Sequence, residues 1–167
     1  YLYKNGIKLI NNGSGNSSND GMLIKYDKSG NVEWGKVIGG TGDYDYIKAV
    51  TETNDGGCIV GVEFAHGAIE LENGEIVTSH GVYDILLIKY DKDGKVEWVE
   101  QIEANKSEQI NCIKSTNDGG FIIGGYTDSV IDVGNGITLG NNGLKDGIII
   151  KYNKEGQAEW GRNIGGN

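Results

Sequence analysis

One stretch of sequence occurs three times in this chain, running each time from an aspartate to a tryptophan. The copies span residues 20–34, 84–98 and 146–160 and share the pattern Asp-x-x-apolar-Ile-Lys-Tyr-(Asp/Asn)-Lys-x-Gly-x-(Val/Ala)-Glu-Trp. Their tryptophans, Trp34, Trp98 and Trp160, stand 64 and 62 residues apart. A fixed period of this size predicts that one supersecondary unit is reused along the chain. The repeat therefore constrains the fold more than any other feature of the sequence.

A second block also repeats between these copies. Residues 47–61 match residues 110–124, and both blocks contain the turn sequence Thr-Asn-Asp-Gly-Gly. Asn, Asp and Gly tolerate the positive φ of tight hairpin turns. The apolar runs on either side are short and rich in β-branched and aromatic residues, as strands are. Since no window keeps a helical period over ten or more residues, the sequence predicts an all-β chain.

Each full unit is predicted to contain four strands, A to D, joined by tight turns. The first unit has strands at about Ile47–Thr53, Cys58–Phe64, Ile85–Asp91 and Val96–Ile102. The second has them at Ile110–Thr116, Phe121–Thr127, Gly147–Tyr152 and Ala158–Ile164, and the N-terminal piece supplies only C and D at Met22–Tyr26 and Val32–Ile38. A small extra hairpin around Asn-Gly is predicted between B and C at residues 69–74 and 131–136, and again at residues 1–6.

Tandem four-stranded antiparallel units with one large aromatic residue per unit favour β-propeller-type blades. We predict about two and a half repeats of 62–64 residues in a single repeat domain: a partial blade at 1–40 and blades at 41–103 and 104–167. Such an arc would expose an apolar blade face at each end. We therefore expect either the remaining blades of a longer parent chain or self-association to close the ring. The start at Tyr1, without a methionine, favours a processed or excised segment.

Two resemblances to known propeller repeats support this architecture. The segment Gly94-Lys95-x-x-Trp98 resembles the blade segment of quinoproteins, although the approach from Asp91 is one residue shorter. The combination of Asp-Gly-Gly-Phe-Ile-Ile-x-Gly at 118–125 with the Ile-Lys-Tyr-Asp…Trp copies more closely resembles tandem β-propeller repeats of bacterial secreted and cell-surface proteins. That resemblance covers nearly the whole chain. It implies an extracellular or cell-surface location and a role in adhesion or interaction.

Charge and hydropathy argue against two classes of partner. The 167-residue chain carries 15 Lys and Arg against 24 Asp and Glu, for a net charge of −9. A nucleic-acid binder needs clustered basic residues to displace counterions from phosphates, so nucleic acid is not expected as a partner. No apolar run approaches the roughly 18–20 residues that span a bilayer, so membrane insertion is not expected either. We therefore expect the binding partner to be a protein or a carbohydrate.

The repeated polar and aromatic residues have an architectural interpretation beside a functional one. Trp34, Trp98 and Trp160 could form a sugar-stacking platform, but repetition at one position in every unit favours packing between blades. The aspartates that open strand C could be calcium ligands or could cap turns; they are Asp20, Asp84 and Asp146. No copy has the spacing of a calcium loop. We therefore expect no cofactor, with calcium as the one ion that these residues allow.

The most distinctive segment that does not repeat is Gly42–Tyr46, between strand D of one unit and strand A of the next. Asp43 and Asp45 supply carboxylates and Tyr44 and Tyr46 supply rings, where the second copy has residues 106–109 instead. Loops that vary on a repeating scaffold are frequent binding sites. This candidate ligand loop could bind a cation or a sugar, and a solvated turn is the alternative.

No catalytic constellation can be assembled from these repeats, because no histidine or cysteine recurs in them. Cys58 and Cys112 lie in apolar runs and are predicted to be small buried residues. We hypothesise a non-enzymatic extracellular scaffold for interaction or adhesion. The alternative is a propeller glycosidase or lyase whose carboxylates meet on the funnel face, with Asp43, Asp45 and Glu108 as the residues to test. A quinone-dependent oxidoreductase is a third alternative, but no candidate residues for its cofactor stand out.

Overall fold

The computed structural model describes residues 2–4, 7–10, 19–41, 44–103, 105–140 and 145–165, and these residues contain strands and no helix. The strands of the N-terminal part are β1 (Leu2–Lys4), β2 (Ile7–Leu9), β3 (Gly21–Tyr26) and β4 (Val32–Ile38). They are followed by β5 (Tyr44–Glu52), β6 (Cys58–Ala65), β7 (Ala68–Glu70), β8 (Ile76–Thr78), β9 (Asp84–Tyr90) and β10 (Val96–Ile102). The last six are β11 (Glu108–Ser115), β12 (Phe121–Thr127), β13 (Ile131–Asp132), β14 (Thr138–Leu139), β15 (Asp146–Tyr152) and β16 (Ala158–Ile164).

The strands of the blades form two four-stranded sheets and one two-stranded sheet, all antiparallel. The second blade has the order β10-β9-β6-β5, the third blade has β11-β12-β15-β16, and the first, partial blade has β3-β4. Three separate two-stranded hairpins, β1-β2, β7-β8 and β13-β14, occupy the positions predicted for the inserted element. The prediction of an all-β fold with propeller-type blades is confirmed.

Strands A of both full blades begin earlier than the sequence predicted. β5 starts at Tyr44 and not at Ile47, and β11 starts at Glu108 and not at Ile110. Both strands contain a register shift, between Ile47 and Ala49 and between Ile110 and Cys112, which marks a β-bulge. A bulge interrupts the two-residue alternation of side chains, so the pattern before it does not continue the pattern after it. The residues ahead of the bulge consequently resembled a loop.

The core lies between adjacent blades, because each central strand presents alternate residues to opposite neighbours. On β9, Leu86, Ile88 and Tyr90 join a buried cluster with Leu23 and Ile38 of the first blade. The intervening residues Ile85 and Leu87 join a second cluster with residues of the third blade, including Phe121, Ile148 and Tyr152. All seven residues of β9 are buried as a result. A blade in this chain is therefore stabilised by its neighbours on both faces.

The inserted hairpins pack into these same junctions between blades. Ile69 and Val77 of the β7-β8 hairpin are buried in the cluster that contains Ile38 at the end of β4. Ile131 and Leu139 of the β13-β14 hairpin are buried in the cluster that contains Ile102 at the end of β10. The β7-β8 and β13-β14 hairpins thus pack at the end of strand D of the preceding blade and help join the two blades.

The two cysteines are not both buried, which corrects the sequence prediction. Cys58 is half-buried, Cys112 is exposed, and neither forms a disulfide. Cys112 occupies the position of Ala49, which packs against the third blade. No described residue packs over the corresponding face of β11 in the same way, so the Cys112 side chain remains accessible to solvent. The apolar pattern identified the strand, but burial at this position depends on a following blade.

The turn glycine Gly94 allows a close contact that a larger residue would block. Its φ is +79°, and an added Cβ atom would lie 2.8 Å from Cδ2 of Trp34 on the neighbouring blade. Gly74 has a similar φ of +84°, but no described atom lies within 4 Å of the same position. The Gly74→Ala variant should therefore lose only about 1 kcal/mol of unfolding free energy, the cost of a left-handed alanine.

Gly94→Ala carries the same backbone cost and must also displace the indole ring of Trp34. We expect it to lose at least about 2 kcal/mol. Chemical denaturation of the two variants beside the parent chain measures the difference. Equal losses at the two glycines would contradict a tight contact between the ring of Trp34 and the turn.

Candidate functional site

The antiparallel order gives the blades two distinct edges. Strands A and C begin at one of them, where residues such as Tyr44, Asp84, Glu108 and Asp146 lie; we call this the loop edge. The turns that join A to B and C to D lie at the opposite edge, which we call the turn edge. Long connections and inserted hairpins enter at the loop edge, whereas the turn edge carries only tight turns. The two edges therefore differ in how freely their sequences can vary.

At the turn edge, the tryptophan of each of the first two blades contacts the following blade. Trp34 Nε1 donates a hydrogen bond of 3.0 Å to the Lys92 carbonyl oxygen, and its ring lies 6.2 Å from that of Tyr90. Trp98 Nε1 donates in the same way to the Lys154 carbonyl oxygen at 3.2 Å. Its ring stacks on Phe121 at 5.9 Å. Trp160, in the third blade, has 39% of its surface exposed.

The turn edge also contains buried lysines, which the sequence reasoning missed as sites. Lys89 Nζ lies 2.9 Å from Asp55 Oδ2 and 2.7 Å from Glu97 Oε2, and Lys151 lies between Asp118 and Glu159 in the same way. The sequence does contain a signal for these lysines, because a lysine interrupts the apolar run at the same position of every copy.

The pKa of Asp55, the acidic partner of Lys89, is strongly shifted at this site. Burial of the Asp55 carboxyl would raise its pKa, but hydrogen bonds from the Thr53 hydroxyl and the Lys89 ammonium outweigh burial and lower the pKa to about 2. A carboxylate that stays charged down to this pH keeps Lys89 paired across the ordinary range. The lysines therefore have a structural role in holding the turn edge together.

The candidate ligand loop lies partly in strand β5 and partly outside the described residues, where Asp43 falls. Tyr44 and Tyr46 point to solvent with 38% and 37% of their surfaces exposed, and their rings stack at 6.1 Å. Asp45 between them is buried and accepts a hydrogen bond of 3.0 Å from the Gly40 amide. Burial, partly offset by the Gly40 amide and reinforced by Asp20, raises the pKa of Asp45 to about 6. The described part of the loop, Tyr44–Tyr46, thus presents its two rings to a ligand and keeps the Asp45 carboxyl group buried.

Glu108 occupies the position of Asp45 at the next junction and has the same kind of acidic neighbour. The Glu108 amide donates to the Tyr83 carbonyl oxygen at 3.1 Å, which places Glu108 beside Asp84. Both side chains are fully buried. Burial raises the pKa of Glu108 to about 7, and Asp84 and Asp128 add to the rise while a 2.8 Å hydrogen bond from Ser129 opposes it. Each described junction therefore contains a pair of acidic side chains.

The aspartates that open strand C contact the loop edge of their own blade. Asp84 Oδ2 accepts the His80 amide at 2.6 Å, as a turn-capping residue does. Asp20 and Asp146 lie against Gly39 and Gly165, where an added Cβ atom would approach their carboxyl groups to 2.5 and 2.0 Å. Within the described residues, no group of three or more His, Cys, Asp or Glu side chains has a metal-binding arrangement. Calcium binding by these residues stays a prediction.

The sequence is distantly related to a repeat protein. No family model matches the chain. It is similar to an uncharacterized WD repeat-containing protein of Acanthamoeba polyphaga mimivirus, with 21% identity over 181 aligned residues. The match covers 92% of this chain and 12% of the viral protein, so the chain spans about an eighth of that relative's length. The relationship agrees with a propeller-type repeat fold.

Among the residues whose structure is described, none forms a helix long and apolar enough to cross a bilayer.

Proposed function

We propose that this chain is a non-enzymatic interaction scaffold of propeller-type blades that binds a protein or carbohydrate partner at the loop edge. The observation that carries the proposal is the exposed pair Tyr44 and Tyr46. The next blade has Ser107 and Gln109 at these positions, so the pair is not required by the repeat. Exposed tyrosines contribute large, rigid contact surfaces with a polar tip and are enriched at binding interfaces.

Two further observations support a protein as the partner. Val82 and Val130, in loops at the same edge, are also exposed and add apolar surface there. WD-repeat proteins, to which this chain is distantly similar, generally mediate protein interactions. An extracellular or cell-surface location belongs to the same proposal and is supported by the resemblance of the repeats to those of secreted bacterial proteins. The same proposal includes the expectation that this arc of blades is part of a larger ring.

The carboxyl pairs do not support the alternative of a glycosidase or lyase. A glycosidase needs two carboxyl groups that face the substrate from about 5–10 Å apart. Asp45, Asp84 and Glu108 are buried within the junctions between blades, where a sugar would have no access to them. Asp45 and Glu108 also belong to different junctions and have different acidic neighbours, Asp20 and Asp84.

Binding to a glycan array and to an array of purified surface and secreted proteins tests the proposal. We expect binding to at least one array and its loss in the double variant Tyr44→Ala/Tyr46→Ala. The matched double variant Ser107→Ala/Gln109→Ala changes the equivalent positions of the next blade and should bind like the parent chain. Equal binding by both double variants would show that the binding site does not depend on Tyr44 and Tyr46. Hydrolysis of a polysaccharide without stable binding would contradict the scaffold and support a glycosidase or lyase.

A further inference from the structure

The first junction between blades contains a bound lysine ammonium group at the turn edge. Lys25 Nζ, on strand C of the first blade, donates to the Gly56 carbonyl oxygen at 3.2 Å and to the Lys92 carbonyl oxygen at 3.1 Å. Both oxygens belong to turns of the following blade. Glu33 Oε2, on strand D of the first blade, lies 3.3 Å from the same nitrogen. Two carbonyl oxygens and one carboxylate group therefore bind a primary ammonium group between the first and second blades.

The second junction repeats this set of acceptors in the same arrangement. The residues at the same positions of the repeat are Gly119, Lys154 and Glu97. A Cβ atom added to Gly119 would lie 3.8 Å from the Lys154 Cβ atom. The same distance between Gly56 and Lys92 at the first junction is 3.6 Å. The two turns that supply the carbonyl oxygens consequently meet in the same way at both junctions.

Lys89, the lysine at this position of the second blade, pairs within its own blade. Its Nζ donates to Asp55 Oδ2 at 2.9 Å and to the Tyr90 carbonyl oxygen at 3.0 Å, and Glu97 Oε2 lies 2.7 Å away. Asp55 belongs to the turn between strands A and B, and the described part of the first blade contains no such turn. No hydrogen bond joins Lys89 to the described residues of the third blade, so the Gly119 carbonyl oxygen stays available to another donor.

A cleft of about 350 Å³ lies at this place, between the second and third blades. Its lining includes the three acceptor residues and two apolar side chains, those of Trp98 and Ile59. The Lys154 carbonyl oxygen accepts a hydrogen bond of 3.2 Å from Trp98 Nε1, and a carbonyl oxygen has two lone pairs. The equivalent oxygen at the first junction accepts both a tryptophan and a lysine. The cleft can therefore receive an ammonium group from outside the chain.

The charges that line the cleft favour a cation. Three of the charged side chains are acidic and two are basic: Asp55, Glu97 and Glu155 against Lys89 and Lys154. The excess is one negative charge, on a chain whose net charge is −9. One added ammonium group would balance the lining, whereas an anion would meet three carboxylate groups.

We propose that this cleft binds the side chain of a lysine that a partner protein presents. The ammonium group would lie between the Gly119 and Lys154 carbonyl oxygens, as the Lys25 ammonium group lies between their counterparts at the first junction. The methylene groups of the lysine would contact the apolar wall of the cleft. A lysine is the occupant that the structure favours, because the chain itself places one on the equivalent acceptors. The site is at the turn edge and is separate from the tyrosine pair at the loop edge.

Titration of the isotope-labelled whole chain with a lysine peptide, followed by NMR, tests the proposal. The probe is the blocked peptide acetyl-Gly-Gly-Lys-Gly-Gly-amide, and its control contains acetyl-lysine, which has no ammonium group. We expect saturable shifts of the Trp98 indole N–H and Gly120 amide signals with the first peptide and none with the second. The Trp34 indole and Gly57 amide signals at the first junction should not move, because Lys25 already occupies that set of acceptors. Equal shifts at both junctions, or equal shifts with both peptides, would overturn the proposal.

Three substitutions test the acceptors directly. Lys25→Met removes the ammonium group from the first junction, so the Trp34 indole signal should then respond to the peptide as the Trp98 signal does. Glu97→Gln should weaken binding at the second junction by roughly threefold, whereas Glu33→Gln, at the same position of the first blade, should leave it unchanged. Thermal unfolding shows that each variant is folded. A folded Lys25→Met chain without a new response, or equal binding by the two glutamine variants, would contradict the proposed acceptors.

Spermidine, a free polyamine, is titrated in parallel to distinguish two sources of an ammonium group. Similar shifts of the Trp98 signal at similar concentrations of peptide and spermidine would support a lysine of a partner protein. If spermidine is effective at a concentration about tenfold lower or less, the cleft takes a small amine and the assignment to a partner protein is wrong. The double variant Tyr44→Ala/Tyr46→Ala should bind the peptide like the parent chain, so this outcome is independent of binding at the loop edge.

Discussion

Replacing Trp98 with alanine is expected to lower the free energy of unfolding by about 3 kcal/mol. The indole ring is partly buried between the second and third blades and stacks on Phe121 at 5.9 Å, and its Nε1 donates to the Lys154 carbonyl oxygen. Truncation removes the apolar contact and leaves that carbonyl oxygen without its donor. Urea denaturation followed by far-ultraviolet circular dichroism measures the loss.

Trp160→Ala is the matched control for this prediction. Trp160 occupies the same position of the repeat, but 39% of its surface is exposed in the single chain. Its loss should cost no more than about 1 kcal/mol. If the two substitutions had equal effects, the tryptophan would contribute through its own blade and not through the junction with the next.

Raising the pH from 4.5 to 7 is expected to destabilise the chain through Glu108. Burial raises the pKa of this carboxyl group from 4.5 to about 7 in the folded chain. Below pH 4.5 the group is protonated in both states and has no effect on stability. Between pH 4.5 and 7 the unfolded chain releases the proton while the folded chain retains it, so the free energy of unfolding falls. The total loss is up to about 3 kcal/mol, reached above pH 7.

Glu108→Gln should remove most of this pH dependence. The glutamine does not ionise, so the variant has no buried carboxyl group at this position that must keep its proton as the pH rises. At pH 8 the variant should be more stable than the parent chain by up to about 3 kcal/mol. Below pH 6 a smaller slope should persist, because burial raises the pKa of Asp45 from 3.8 to about 6.

The exposed Glu52 supplies the control, since Glu52→Gln should leave the pH profile of the parent chain unchanged. Thermal unfolding at a series of pH values between 4 and 8 gives all three profiles. A parent chain whose stability rises between pH 5 and 7, with Glu108→Gln behaving identically, would show that Glu108 is ionised in the folded state.

Strands and turns were predictable because their signals are local. The apolar run after the second Asn-Asp-Gly-Gly turn defined β12 to the residue, and the repeated Lys-x-Gly turns defined β4, β10 and β16 in the same way. The inserted hairpins followed from Asn-Gly flanked by apolar residues. These features depend on neighbours a few positions apart in the sequence, so a single sequence is sufficient to find them.

The acidic pairs were not predictable, because each pair joins residues from two different blades. Asp84 and Glu108 belong to strands C and A of successive blades, and bulges hid the start of strand A in both copies. Asp45 and Glu108 therefore counted as loop residues, for which solvent exposure is the ordinary expectation. Cys112 is the opposite case, a residue predicted to be buried that is exposed. Its apolar neighbours in the sequence do not reveal whether another blade covers it.

The repeated tryptophan-to-turn contact has a consequence for how such a chain can change in length. Trp34 meets Lys92 and Gly94 in the way that Trp98 meets Lys154 and Gly156. A recombination event that removed residues 41–103 would leave Trp34 facing Gly156, with both surfaces already shaped for each other. A duplication of the same residues would add a blade without creating a new kind of contact. Gene rearrangement can therefore lengthen or shorten this arc in whole blades while every junction remains of a type that already folds.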